Sequence, residues 1–192
     1  MRRGPGALSE AAGRFCAGVV RHMPGLLALT APSPVSYLRL QPHHWSAAYA
    51  CLGERNREAA LRICPVTSLG GADPDRQMNV EFRAADATAN PYFALWGLIM
   101  AGLAGLQGEL SPPPLVNQDP ASLDEAELAR LGVRRLPGDL PAALAAFRAD
   151  ALLQRWVPAT LRDCLLAVKE KELALAAGLD PAALCARYAA VY

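Results

Sequence analysis

The chain has 192 residues, 53% of them hydrophobic and 19% charged, which suits one globular domain burying about 70% of its unfolded surface. Nineteen Lys plus Arg against eighteen Asp plus Glu leave a formal charge of +1, which argues against a disordered chain and against a general nucleic-acid footprint. Five cysteines, Cys16, Cys51, Cys64, Cys164 and Cys185, are an odd number without C-x-x-C spacing, so they predict neither a disulfide framework nor a zinc ribbon but buried, inert thiols in a reducing cytoplasm.

The first residues are basic, but Ser9, Glu10 and Arg14 interrupt any apolar run of a secretion signal, so secretion is not expected. Ser9 is placed to cap a helix to about Met23, with Phe15, Val19 and Val20 on one side and Arg14 and Arg21 on another, and Pro24-Gly25 is expected to end it. Ala31-Pro32-Ser33-Pro34 predicts an extended segment and residues 42–45 a loop. Short strands are expected near residues 47–53 and 59–64, joined by a polar turn at 54–58, and residues 67–75 form a flexible loop by composition. Met78, Val80 and Phe82 alternate with Asn79, Glu81 and Arg83, the clearest strand signal in the chain.

Asn90 as cap and Pro91 at the first position open an almost wholly apolar helix, which a folded protein must cover on all sides. Its apolar body, residues 91–106, is shorter than the ~20 residues that span a bilayer, so no membrane segment is expected. Ser122 to Glu125 has the S-x-x-E form of a capping box, and Asp139 and Asp180 are placed to cap two further helices. Between those two, Leu161, Leu165, Val168 and Leu175 follow helical spacing, with Arg162, Asp163, Lys169 and Glu170 marking a solvent side. The fold class that follows is α+β, a few antiparallel strands covered by many helices.

Strand alternation puts Glu81 and Arg83 on one face and Arg62 and Cys64 on one face of the preceding strand. If both strands share a sheet, Arg62 and Arg83 surround Glu81, with Arg39 and Arg57 arriving from nearby loops. Two readings fit. Guanidinium forks in excess suit a polyphosphate or a substrate carboxylate, with Glu81 able to hold a hard divalent metal if helped from elsewhere. Alternatively these are exposed arginines salt-bridged to Glu81. His43 and His44 have no acidic or cysteine cluster at ligand spacing and do not compose a metal site, and no phosphate loop, nucleophile elbow or H-E-x-x-H is present.

Ser36-Tyr37-Leu38-Arg39-Leu40, then Asn56-Arg57 with Arg62 five residues on, then Val80-Glu81-Phe82-Arg83 and Ala89-Asn90-Pro91-Tyr92 resemble, in order and spacing, the C-terminal half of the catalytic domain of the glutamine synthetase family. The resemblance extends to the helix before them and the tail around Ala167-Val168-Lys169, so residues 1–192 are expected to be one part of that domain. It implies a partial half-barrel fold and ATP-dependent formation of γ-glutamyl phosphate from glutamate, followed by attack of ammonia or an amine. Arg39 then matches the arginine that holds glutamate. Arg83 matches the one at the reacting carboxylate and transferred phosphoryl group, Arg57 and Arg62 those on the ATP phosphates, and Glu81 a ligand of the Mg2+ or Mn2+ that bridges them. Family members form homo-oligomeric rings.

Two departures from the family pattern carry expectations of their own. Six residues after Arg39, where ammonia-using members carry a glutamate, this chain has Trp45, which either lines a pocket for a larger amine or simply packs. The family's N-terminal β-grasp domain and the first half of its catalytic domain, with the other metal-binding residues, have no counterpart here. The isolated chain is therefore expected to be inactive: a gene fragment, a piece of a longer product, half of a split protein, or a half-domain that serves assembly alone.

Overall fold

The computed structural model describes residues 2–4, 7–44, 47–71 and 73–191, with no account of the side chains of residues 2–4 and 7; Trp45 lies outside the described residues. A small N-terminal ladder, β1 (Arg2–Gly4) and β2 (Ala7–Leu8), leads into α1 (Glu10–Thr30). Ser9 Oγ accepts from Ala12 N at 3.2 Å, as its position predicts. The helix does not stop at Pro24-Gly25. Proline cannot donate to the carbonyl one turn back, Val20 O, but Arg134 Nη2 does so at 3.2 Å and reaches Arg21 O at 3.0 Å. Gly25 allows a close approach instead of a break, because a Cβ there would sit 2.7 Å from Leu153 Cδ1.

After α1 the chain forms a single turn, α2 (Ser36–Arg39), where an extended segment was expected; buried Tyr37 and Leu40 anchor it. Strands β3 (Tyr49–Glu54) and β4 (Ala59–Ile63) follow, then a 3-10 turn, α3 (Pro74–Gln77) and β5 (Val80–Phe82). With β6 (Arg134–Arg135) they form one sheet in the order β5-β4-β3-β6. β5 is antiparallel to β4 and β6 to β3, while β3 and β4 pair in parallel, so the sheet is mixed. The link 55–58 makes no two-residue hairpin turn. Arg55 N donates to Ile63 O at 3.0 Å, and Asn56 Nδ2 donates to Val116 O at 2.8 Å and Gln118 O at 3.0 Å.

Helix α4 (Pro91–Gln107) is capped by Asn90 Oδ1, which accepts from Tyr92 N at 2.9 Å and Phe93 N at 3.3 Å. It crosses α1 backbone to backbone: a Cβ on Gly18 would lie 2.0 Å from Ala101 O, and one on Gly105 2.1 Å from Arg14 O. Only this side of α4 is covered. Tyr92, Leu95, Ile99 and Leu103 face solvent, against the expectation of cover all round. The core runs around α1, joining Met23, Leu26 and Leu27 with Ala101 of α4 and with Leu140, Leu144 and Phe147 of α6 (Leu140–Ala149).

The remaining helices are α5 (Glu125–Arg130), α7 (Ala151–Trp156), α8 (Ala159–Ala176) and α9 (Pro181–Ala189). Asp139 and Asp180 cap as expected, through Ala142 N and Ala183 N, both at 2.8 Å. The cap of α5 is Asp124, accepting from Glu127 N at 2.8 Å, because Ser122 is consumed by the 3-10 turn Pro120–Ser122. Helix α8 follows its pattern only in part: Leu165 packs against the core and Asp163 and Glu170 are exposed as expected, whereas Leu161, Val168 and Leu175 are exposed and Lys169 is buried, its Nζ 2.7 Å from Glu172 Oε2. Burial pushes the Cys16 thiol up to about 11 and the Cys51 thiol to about 12, as inert core cysteines should be. Cys164 and Cys185 are exposed on the same under-covered helices, contrary to expectation.

Candidate active site

The site begins with the register of β4 and β5, which sets Arg62 directly opposite Glu81. Directly opposed residues of an antiparallel pair point to the same face, and Arg83 joins them two residues on. The apolar alternates Leu61, Ile63, Val80 and Phe82 turn to the core, so core burial on one face fixes the charged face on the other. Arg62 Nη2 lies 2.7 Å from Glu81 Oε2, and Arg83 Nη1 lies 3.3 and 3.2 Å from the two carboxylate oxygens. The Arg62 and Arg83 side chains are only 15% and 11% exposed, against 39% for Glu81. Two half-desolvated guanidinium groups therefore share one carboxylate, and positive charge is in excess.

Both remaining arginines attach through Arg83. Arg57 O accepts from Arg83 Nε at 3.2 Å, which ties the link 55–58 to the end of β5 and leaves the Arg57 side chain exposed beside the pair. Arg39, projecting from α2, donates to Arg83 O at 3.4 Å and Ala85 O at 3.0 Å. Burial lowers the Arg39 pKa from its ordinary value; the nearby Asp86 charge acts against that and the Arg83 charge with it. The geometry thus brings together Arg39, Arg57, Arg62, Glu81 and Arg83 from three separate stretches of chain. Trp45 is the one proposed site residue outside the described part.

Three contributors carried no individual role in the sequence reading. Asn56 accepts from Glu58 N at 2.9 Å while donating to two loop carbonyls, so it shapes the link that presents Arg57. Its position next to Arg57 in a polar turn was the available signal. Cys64 Sγ lies 3.9 Å from Arg62 Nη2 and 4.0 Å from Glu81 Oε2, within the charged cluster. Asp86, whose N donates to Thr30 O at 3.0 Å, sets a carboxylate near Arg39 from a loop that no periodicity marks.

The arrangement suits an anion. Arg62 Nε is buried with no hydrogen-bond partner, a donor held ready beside a guanidinium already committed through Nη2. It does not by itself suit a divalent metal. Among the described residues no group of three or more metal-ligating side chains occurs, and the oxygens of Glu81 are engaged by arginines, whereas Mg2+ demands near-octahedral oxygen ligation. His43 pairs with Asp119, Nε2 to Oδ2 at 2.8 Å, at the surface.

The family model for the glutamine synthetase catalytic domain matches residues 2–179, and the chain belongs to the glutamine synthetase family. It is 45% identical over 174 residues to the gamma-glutamylpolyamine synthetase GlnA3 of Streptomyces coelicolor, a match covering 91% of this chain and 37% of that protein. It is 35% identical over 169 residues to the glutamine synthetase of Thermococcus kodakarensis, covering 88% of this chain and 36% of that one. A solved structure described as a novel glutamine synthase homolog superposes with a TM-score of 0.83 at 47% identity, over 99% of this chain and 41% of the homolog. The chain thus spans about two fifths of the length of the relatives it matches. No helix among the described residues is long and apolar enough to cross a membrane.

Proposed function

We propose that this chain is the anion-binding part of an ATP-dependent ligase that joins the γ-carboxyl of glutamate to an amine. The observation that carries the reading is the Arg62–Glu81–Arg83 cluster, with Arg39 and Arg57 tied to it through backbone carbonyls. In the first step a glutamate carboxylate oxygen attacks the γ-phosphorus of ATP, and the bond to ADP breaks. In the second the amine nitrogen attacks the acyl carbon, inorganic phosphate leaves with the bonding pair, and the nitrogen loses a proton. Both steps gather negative charge on phosphoryl oxygens, which fixed guanidinium groups stabilise without reorganising.

Within that proposal Arg39 holds the substrate glutamate, Arg83 its reacting carboxylate and the phosphoryl group in transfer, and Arg57 and Arg62 the ATP phosphates. Glu81 would contribute one ligand to a Mg2+ or Mn2+ ion, and no group of metal-ligating side chains to complete the site occurs among the described residues. Activity then requires the rest of the domain, in a homo-oligomeric ring. An amine larger than ammonia is favoured by the greater identity to a gamma-glutamylpolyamine synthetase and by Trp45 in place of a glutamate.

The test supplies the missing part from the Streptomyces coelicolor relative and measures ADP release with glutamate and either ammonium or a polyamine. The expected result is turnover dependent on both parts, faster with the polyamine, and lowered at least 100-fold by Arg57→Ala. The Trp45→Glu variant is expected to shift preference toward ammonium. No nucleotide binding by the assembled protein leaves a non-catalytic half-domain as the better reading, and unchanged amine preference in Trp45→Glu removes the role given to Trp45.

A further inference from the structure

His43 belongs neither to the arginine cluster nor to the core, yet its backbone is held in the left-handed region, at φ 63°, which is uncommon outside glycine. Such a conformation persists where surrounding contacts hold it in place. Two such contacts are present. His43 N donates to Glu58 Oε2 at 3.2 Å, and the ring Nε2 lies 2.8 Å from Asp119 Oδ2.

Together these contacts close a ring of hydrogen bonds. Glu58 N donates to Asn56 Oδ1 at 2.9 Å, Asn56 Nδ2 donates to Gln118 O at 3.0 Å, and Asp119, the next residue, returns to the His43 ring. The link 55–58 inside this ring is itself constrained. Arg55 at its start is also left-handed, at φ 58°, and Arg57 O accepts from Arg83 Nε at 3.2 Å on the side of the charged cluster. Arg135 Nη2 donates to Gln41 Oε1 at 3.0 Å, which fixes the start of residues 41–44 to β6. The segment that precedes Trp45 and the link that presents Arg57 therefore meet at His43.

We propose that His43 is a positioning residue that sets the Arg57 link against the segment before Trp45, so that the nucleotide side and the amine side of the site share one frame. What Arg57 and position 45 do rests on the ligase reading; the hydrogen-bond ring does not. Glu58 reaches His43 through the backbone N–H and Asp119 reaches it through the imidazole, so a side chain that extends to Asp119 is needed to close the ring. Asp119 is fixed in turn, because its other oxygen accepts from Ala121 N at 2.9 Å. The ring contact is exposed, 66% at the His43 side chain and 37% at that of Asp119, and exposed pairs add little to stability. Its loss therefore changes alignment and leaves the fold intact.

The test compares His43→Gly, which keeps the N–H and accepts the backbone angle but removes the ring, with His43→Gln, whose terminal amide can donate to Asp119. In the full 192-residue chain, nuclear magnetic resonance reads hydrogen exchange of the Asn56 side-chain amide and the backbone order parameter of Arg57. In His43→Gly the exchange should quicken about threefold, the scale of one exposed contact, and the order parameter should fall, while His43→Gln keeps both near the unsubstituted values. Circular dichroism and melting temperature should stay unchanged in both variants. In the chain assembled with the missing part of the Streptomyces coelicolor relative, His43→Gly should raise the KM for ATP and the KM for a polyamine together, each about threefold, with kcat within about twofold, and His43→Gln should restore both. Changes confined to residues 41–44 and 119–122, a rise in one KM without the other, or a fall in kcat with both KM values unchanged overturns the proposal. Absence of turnover in the unsubstituted assembly defeats the ligase reading instead, and the resonance comparison then decides by itself whether His43 positions the link.

Discussion

The Asp150 carboxylate lies where α6 ends and α7 begins, and each of its oxygens has a separate task. Oδ1 accepts from Leu152 N at 3.0 Å and Leu153 N at 3.2 Å, capping α7, while Oδ2 lies 2.6 Å from His22 Nδ1 and pins α1 to that corner. Burial alone would raise its pKa, but the His22 contact and the two backbone N–H groups outweigh burial and hold the carboxyl below its ordinary value. A carboxyl depressed by folding contributes stability above its unfolded pKa of about 4, and that contribution fades as pH falls through the lower folded value. Asp150→Asn should therefore cost about 1–2 kcal/mol near neutral pH, the scale of a lost cap and a charge-assisted hydrogen bond. Guanidinium unfolding at pH 7 and pH 3 checks this. The gap between variant and wild type should narrow at the lower pH, and a constant gap would mean the carboxylate charge is not responsible.

The same scale explains what was readable in the site. Strict alternation from Met78 to Arg83 placed Glu81 and Arg83 on one face, and Arg62, expected beside them if the strands share a sheet, is set opposite Glu81 by the register. Arg39 and Arg57 belong to a turn and a link, where no periodicity predicts direction; their attachment through Arg83 O and Arg57 O depends on backbone carbonyls, which a string of side chains does not display. Asn56 was read only as part of a motif for the same reason, since it acts through the carbonyls of Val116 and Gln118.

At the scale of elements, the crossing of α1 and α4 depends on the absence of side chains. Gly18 and Gly105 face each other so closely that a Cβ on Gly18 would lie 2.9 Å from Gly105 Cα and one on Gly105 2.8 Å from Gly18 Cα. Backbone cannot yield as a side-chain tip can, so Gly18→Ala must push the helices apart and loosen the packing of Phe15 against Gly102. The expected loss is about 2–3 kcal/mol, the upper part of the range for overpacked cores, despite the better helix propensity of alanine. Chemical denaturation measures it; a variant as stable as wild type would mean the crossing has room to relax. Helix starts were largely legible because caps act within three residues, as at Ser9, Asn90, Asp139 and Asp180. The continuation of α1 through Pro24 was not, because its compensating donor, Arg134, lies 114 positions from the carbonyl it serves.

Across the whole molecule, the tightly packed core of α1 and α6 contrasts with α8 and α9, which bury only Lys169 and Tyr188 between them. The pattern of α8 misled in part because inward and outward faces are defined by neighbours, and here, beside Leu165, Leu166 and Leu173, a polar cluster turns inward. Glu172 is its centre: it pairs with Lys169 Nζ at 2.7 Å, accepts from Ser33 Oγ at 3.2 Å, and accepts from the Tyr188 hydroxyl. One carboxylate thus joins both C-terminal helices to the segment after α1. Regions with few buried apolar contacts open at a lower free energy than the core, and removing their principal polar anchor lowers that energy further. Glu172→Ala leaves the half-desolvated Lys169 ammonium, whose side chain is 11% exposed, without its counter-charge. Amide exchange in α8 and α9 should then accelerate about tenfold or more, the factor that follows from losing about 1.4 kcal/mol of local stability, while α1 from Val19 to Leu29 keeps its protection. Equal acceleration in α1 would show instead that the C-terminal helices and the core unfold as one cooperative unit, and that the polar cluster supports the entire fold.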